Sequence, residues 1–362
     1  MFKRVLLFSV ILLSLPSCSA SVYSEPSENP EPLSAQQSEG PAMRPANTVM
    51  PAQDAEAPGF TDPLTGLPAA EYTVNCRPAA VVIDNHHKAL PQSGVGQAAI
   101  YYEILAEGNI TRLIAIFHDF NAQKIGPVRS ARPYFLGFAM DYDAILVHHG
   151  GSPRGYDLIE ETGIADLDAM KLSDTFWRDR ERAAIPGMSV HSSYTGEALI
   201  RQAQEKFEFR PVMREGLNPG FLFYDEPSLP GGAAAAAFVC VPFAADYGSF
   251  FEYRDGLYYK FMENIPQTDA ETGLQLSVTN ILIQYAPVYI IQGDIAGRRE
   301  AELVGSGSGM FITRGGCVPV QWNKKSLETP TRWYNADGGE LYLNKGKTWI
   351  CVVSPETAVG IE

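Results

Sequence analysis

Ile125-Gly126-Pro127-Val128-Arg129-Ser130-Ala131-Arg132-Pro133 and His148-His149-Gly150-Gly151-Ser152-Pro153-Arg154-Gly155 decide how the first half of this chain is read. Each turn sets a serine just before a predicted helix, a proline in its first turn, and arginine beside them. Serine is a favoured N-cap, and proline is tolerated where its missing N–H has no helical partner. Residues 133–140 read as a helix, 144–148 as a strand, and 156–161 as the continuation of a second helix. Each turn therefore links a strand end to a helix start.

The same alternation extends outward from these turns. Residues 79–84 read as a buried strand, 97–107 as a helix stopped by Gly108, 112–117 as a strand, and 195–206 as a helix. This pattern predicts an α/β N-terminal domain with a mixed, mostly buried sheet, spanning 60–230. Ligands of such sheets sit beyond the carboxyl ends of the strands.

After Gly231-Gly232-Ala233 the pattern changes. Residues 250–261 are rich in aromatics and contain Asp255-Gly256, a hairpin signal. Strand-like runs follow at 278–284, 301–304, 311–313, 318–322, 340–343 and 349–353, separated by Gly, Asn and Asp clusters. The expectation for 231–362 is a mainly β C-terminal domain.

The N-terminus bears on location. Lys3 and Arg4 precede an apolar run over 5–15, followed by Leu15-Pro16-Ser17-Cys18. The run is about half the ~20 residues a spanning helix needs, so 1–18 read as a secretory signal peptide. The small residue before Cys18 is similar to a lipoprotein lipobox, which implies cleavage there and diacylglycerol on the sulfur. An ordinary signal peptide cut near Ala20 is the alternative. Residues 19–59, rich in Pro, Ser, Glu and Ala, read as a disordered linker. The expected layout is a lipid anchor on the extracytoplasmic face of the cell membrane, a tether and a folded body.

The net charge of −14 excludes nucleic acid as a natural partner, because phosphate backbones need a basic footprint. Clustered arginines in an acidic chain therefore need a local reason. Besides Cys18, four cysteines remain, and three disulfide connectivities are open. Cys317–Cys351 is expected because both lie in strand-like runs, with Cys76–Cys240 by elimination. No metal or cofactor is expected. Adjacent histidines on a strand point to opposite faces, so His86-His87 and His148-His149 could each give Asp84 only one co-ligand.

Gly150-Gly151-Ser152 lacks the G-x-S-x-G frame of a nucleophile elbow, since Arg154 fills the fifth position. Gly305-Ser306-Gly307-Ser308-Gly309 fits no phosphate loop and reads as a turn between strands. Arg112, Arg129, Arg132, Arg154, Arg178 and Arg182 are the notable cations. Solvated ion pairs with Glu103, Glu107, Asp179 and Glu181 are the bland account of them. Arg129 and Arg132 flank a helix start, where free N–H groups and the dipole favour an anion. The candidate ligand-binding set is Arg112, Arg129, Ser130, Arg132, Gly150, Gly151 and Ser152. Asp84, Glu103, His148 and His191 are candidate orienting or catalytic groups.

The chain resembles the YerB-like bacterial lipoproteins, a two-domain family of unknown function. The likeness is carried by Asp62-Pro63-Leu64-Thr65-Gly66-Leu67, by 77–85, 91–94 and 125–132, and by Gly150-Gly151-Ser152-Pro153. Later it is carried by Gly305-Ser306-Gly307, Trp322-Asn323-Lys324-Lys325 and Gly346-Lys347-Thr348-Trp349-Ile350. Where the family often has Arg-x-x-Pro-His-Asn, this chain reads Met188-Ser189-Val190-His191-Ser192. The resemblance implies the lipoprotein state and two-domain layout, and no activity. Thr111-Arg112 and Pro127-Val128-Arg129-Ser130 also loosely echo the LytR-CpsA-Psr transferases, which hold a polyprenyl pyrophosphate with arginines. The residues support binding of an anionic cell-wall polymer or lipid intermediate. Phosphoryl or glycosyl transfer at the same pocket, or a non-catalytic scaffold, are the alternatives.

Overall fold

Residues 59–362 are described by a computed structural model. The predicted signal peptide, Cys18 and all of the linker but Gly59 lie outside the described residues. Strands β1 (Ala79–Asp84), β2 (Ile100–Leu105), β3 (Thr111–Phe117), β4 (Ile145–His148) and β5 (Asp166–Asp168) come from the N-terminal region. Helices α1 (Pro133–Met140), α2 (Pro153–Thr162) and α3 (Glu197–Lys206) also belong to it. The C-terminal region is mostly strands: β6 (Phe238–Ala244), β7 (Tyr247–Arg254), β8 (Leu257–Met262), β9 (Asn280–Tyr285), β10 (Gly305–Thr313), β11 (Gly316–Lys324) and β12 (Thr348–Val353). The fold class is the expected one, a mixed-sheet α/β region followed by a mainly β region.

The two regions share one eleven-stranded sheet, whose central order is β11-β10-β9-β12-β2-β3-β1-β4-β5. β12 is the seam, parallel to β9 on one side and to β2 on the other. β3 runs antiparallel to both its neighbours. The start of β3 therefore lies at the same sheet end as the finish of β1, β2 and β4.

All six residues of β1 are buried, as a strand covered on both faces requires. Val81 and Ile83 pack into one cluster with β6–β8 and α3, whereas Ala80 and Val82 pack into another with α1. The main sheet is thus sandwiched between helices on one face and the β6–β8 sheet plus α3 on the other. All eight residues of α1 are buried. Each large side chain such as Phe135 or Leu136 contributes about 1.5–3 kcal/mol on burial. α2 is amphipathic: Ser152 Oγ accepts from Gly155 N at 3.1 Å, and Gly163 ends the helix with φ +61°. Asp255 and Gly256, both at positive φ, turn β7 into β8 as the dipeptide predicts.

Four expectations fail here. Residues 97–107 contain β2 rather than a helix, because Ile100-Tyr101-Tyr102-Glu103-Ile104 is a central strand buried on both faces. Ser130 caps no helix: the N-cap of α1 is Arg132, and Ser130 Oγ donates to the His149 carbonyl at 3.0 Å. Gly305 to Gly309 belong to β10 and pair with β11. The four cysteines among the described residues, Cys76, Cys240, Cys317 and Cys351, are free thiols. Cys317 on β11 and Cys351 on β12 are three strand steps apart, roughly 14 Å, about twice the ~7 Å Cα limit for a disulfide. Cys76 and Cys240 lie on separate elements, with Cys76 bridged to Val212 and Cys240 in β6.

Candidate functional site

Asp84 ends β1 fully buried, and Arg112, the second residue of β3, is its register partner. Asp84 Oδ1 accepts the His86 backbone N–H at 3.1 Å and lies 3.8 Å from Arg112 Nη1. Oδ2 accepts His191 Nδ1–H at 2.7 Å and lies 3.2 Å from Arg129 Nε. Burial raises the Asp84 pKa, but His191, Arg112 and Arg129 outweigh it and hold the carboxyl below its ordinary range.

A second carboxylate faces the other side of Arg112. Glu107 Oε2 is 3.8 Å from Arg112 Nη2, and Oε1 accepts a short hydrogen bond from Arg132 Nε. Arg132 also donates from Nη1 to the Ala131 carbonyl at 2.7 Å. Arg112, Arg129 and Arg132 therefore converge on two carboxylates, leaving one surplus positive charge before His191 is counted. Arg112 is 4% exposed, and among the described residues its Nε and Nη1 have no hydrogen-bond partner. Burial first, then Arg129 and Arg132, lower its pKa to about 10, so it remains charged at neutral pH. A buried guanidinium N–H without an acceptor is costly, and an anion's oxygens would supply one.

The turns over 125–133 and 148–155 lie side by side. Arg129 N donates to the Val82 carbonyl and His149 N to the Arg129 carbonyl, at 2.8 and 2.9 Å. Ala131 N–H donates to the Gly150 carbonyl and Ser152 N–H to the Ala131 carbonyl, at 2.9 and 3.1 Å. Gly150 N–H goes to Asp168 Oδ1 at 2.8 Å. Ser130, Gly150, Gly151 and Ser152 thus brace the arginine segment, and the N–H groups of Ala131, Gly150, Ser152 and Gly155 are spent internally.

Two other expectations are corrected. Glu103 touches no arginine: it accepts from Asn85, Thr111, Ser249 and Trp349 at 2.7–3.1 Å, with Lys260 Nζ at 3.9 Å. It ties β2 to β7, β8 and β12. His148 is fully buried, with Nδ1 2.8 Å from the Gly150 carbonyl and Nε2 3.1 Å from Asp166 Oδ2. Neither nitrogen faces the arginines. Arg154 pairs with Glu161 on an exposed helix face.

His149 and Arg178 form a flank. Arg178 Nη2 donates to His149 Nε2 at 3.1 Å, and His149 Nδ1–H donates to Ser193 Oγ at 2.7 Å. Burial and the Arg178 charge lower the His149 pKa. Glu107, in the sequence no more than a surface ion-pair partner, orients two arginines; its place beside Gly108, just after a strand, is the signal for that role. The C-terminal region reaches the site too. Tyr247 OH donates to the Asn85 carbonyl, and Gln267 Nε2 donates to Asn85 Oδ1 at 3.0 Å. Among the described residues no three His, Cys, Asp or Glu side chains are grouped as a metal would require.

The model for the N-terminal domain of a protein of unknown function, DUF3048, matches residues 64–210, and its C-terminal domain matches 239–350. The putative lipoprotein YerB of Bacillus subtilis (strain 168) is 34% identical over 311 residues, covering 83% of this chain and 88% of that protein. The crystal structure of YerB from Bacillus subtilis superposes with a TM-score of 0.71 at 33% identity, covering 83% of this chain and 99% of that one. Matched along both regions by sequence and by fold, this chain belongs to the DUF3048 family, the family of YerB.

Proposed function

We propose that this protein is a lipoprotein, anchored through Cys18 on the outer face of the cell membrane, that binds an anionic group of a cell-envelope ligand at Arg112, Arg129 and Arg132. The anchor rests on the Leu15-Pro16-Ser17-Cys18 motif and on the lipoprotein name of the YerB relative. Among the described residues no helix is long and apolar enough to cross a membrane.

The observation that carries the binding reading is Arg112, buried and charged, with two nitrogens lacking acceptors. A phosphate or carboxylate offers several acceptors matched to a guanidinium fork. Arg129, whose side chain is 26% exposed, provides the approach from solvent. The test is a thermal-shift screen with phosphorylated and uronic envelope fragments. The native protein gains stability with at least one fragment, and Arg129→Ala/Arg132→Ala gains none. No response in either protein removes the reading.

Transfer chemistry is the second reading, and one observation favours it. The Asp84–His191 contact at 2.7 Å fixes the imidazole as a carboxylate orients a general base. Asp84 and His148, both saturated by other partners, do not fit that role. Turnover of a phosphorylated fragment by the native protein, abolished in His191→Gln, would support transfer; unchanged fragment after prolonged incubation would leave binding alone.

A further inference from the structure

Among the described residues, the β6–β8 sheet buries one face against the main sheet and leaves the other open. By period-2 alternation Val239, Val241, Ser249, Phe251, Tyr258 and Lys260 point inward. The outward row should be polar on a solvated sheet face. Instead the register places Cys240 opposite Phe250, and Phe250 opposite Phe261. The adjacent row sets Phe238 opposite Glu252, and Glu252 opposite Tyr259. Phe238 is 54% exposed. A contiguous aromatic face of this kind marks an interaction surface.

The face is concave and acidic. A hollow of about 480 Å³ is lined by Phe238, Phe250, Phe261, Glu252, Glu263 and Glu362, among others. A second, of about 360 Å³, shares Cys240, Phe250, Glu263 and Asn264 with it and continues to Pro242 and Asp246. Together they make a trough beside β6, a strand of seven residues, roughly 20 Å long. Among the described residues four carboxylates line it and no Lys or Arg does. Arg254 reaches Glu252 at 3.8 Å and His87 reaches Glu263 at 3.6 Å. Both pairs are solvent-exposed and easily exchanged.

We propose that this trough docks an extended segment of a partner protein in which apolar residues alternate with lysine or arginine. In an extended strand alternate side chains point to opposite sides, so one set enters the aromatic floor. The alternating cations point away from the floor, and their long flexible stems bend back over the rim to reach Glu252, Glu263, Glu362 and Asp246. The length of the trough suits a strand of several residues, and its charge selects against acidic segments.

The test uses the full-length chain and three labelled heptapeptides, Lys-Leu-Lys-Leu-Lys-Leu-Lys, Lys-Ser-Lys-Ser-Lys-Ser-Lys and Glu-Leu-Glu-Leu-Glu-Leu-Glu, followed by fluorescence anisotropy in 0.15 M salt. The Lys/Leu peptide binds saturably and about tenfold or more tighter than either control. Phe250→Ser/Phe261→Ser and Glu252→Gln/Glu263→Gln each weaken it at least fivefold. Circular dichroism and the denaturation midpoint check that the variants remain folded. If the aromatic pair does not fold, the carboxamide pair alone decides. Equal binding of Lys/Ser and Lys/Leu peptides, or binding unchanged in the carboxamide pair, overturns the proposal.

Discussion

Arg112 and Asp84 stand directly opposite each other across the antiparallel β1–β3 pair, with Nη1 and Oδ1 3.8 Å apart. That spacing is an ion pair too long for a hydrogen bond. Arg112 is held in place by charge, between Asp84 and Glu107, while its Nε and Nη1 stay uncompensated. Charge placement, rather than a helix terminus, makes this sheet end a candidate anion site.

Removing Arg112 leaves Asp84 buried with fewer counter-charges. Arg112→Leu is expected to lower stability by about 3 kcal/mol, the low end for breaking a buried pair, since Arg129 and His191 still hold Asp84. Arg112→Lys costs less, because it keeps the charge. Urea denaturation of both variants checks the order; equal stability of native and Leu variant would contradict it.

The Asp84 pKa is lowered in the folded protein. A depressed carboxyl contributes stability above the unfolded value of about 3.9, and loses it as pH falls through the folded value. The stability gap between native protein and Asp84→Asn should therefore be constant from pH 7 to about 5 and shrink below about 4. Denaturation midpoints across that range check this. A gap that widens on acidification would reverse the sign.

Ser152 caps α2 and Ser130 caps nothing. Ser152→Ala is expected to cost about 1 kcal/mol. Ser130→Ala loses only its hydrogen bond to the His149 carbonyl and should cost less. Thermal midpoints of the two variants decide, and a larger loss for Ser130→Ala would refute the capping assignment.

With four free thiols, reducing agent should leave the thermal midpoint unchanged. Ellman's reagent should reach the partly exposed Cys76 and Cys240 in the folded protein, and Cys317 and Cys351 only after denaturation. Burial pushes the Cys317 thiol up to about 11, which slows it further. Fewer than four of these thiols reacting in denaturant, without reductant, would restore a disulfide.

Much of the fold is legible in local pattern. The Val81-Val82-Ile83 run, the Pro133 helix start and Asp255-Gly256 each specify one conformation through nearby residues. Residues 97–107 mislead because Tyr101 and Tyr102 are buried on opposite faces, so no polar alternation marks a strand. The shared sheet is illegible for a different reason. β12 pairs with β2 across 248 positions, from Thr348 back to Ile100, and nothing local encodes that partner. The site divides the same way: Arg129, Arg132 and Ser152 announce themselves by motif. Asp84 meeting His191 across 107 positions, and Glu107 rather than Glu103 facing the arginines, depend on where the short turns at 189–191 and 107–109 fold over the sheet end, which no local pattern encodes.

Calorimetric titration of inorganic pyrophosphate into the native protein and into folded Arg129→Ala/Arg132→Ala tests the arginine cluster most directly. The account predicts saturable binding to the native protein, weakening as salt rises, and at least tenfold weaker binding to the variant. Saturable binding of equal strength in both proteins would place the anion elsewhere and contradict it.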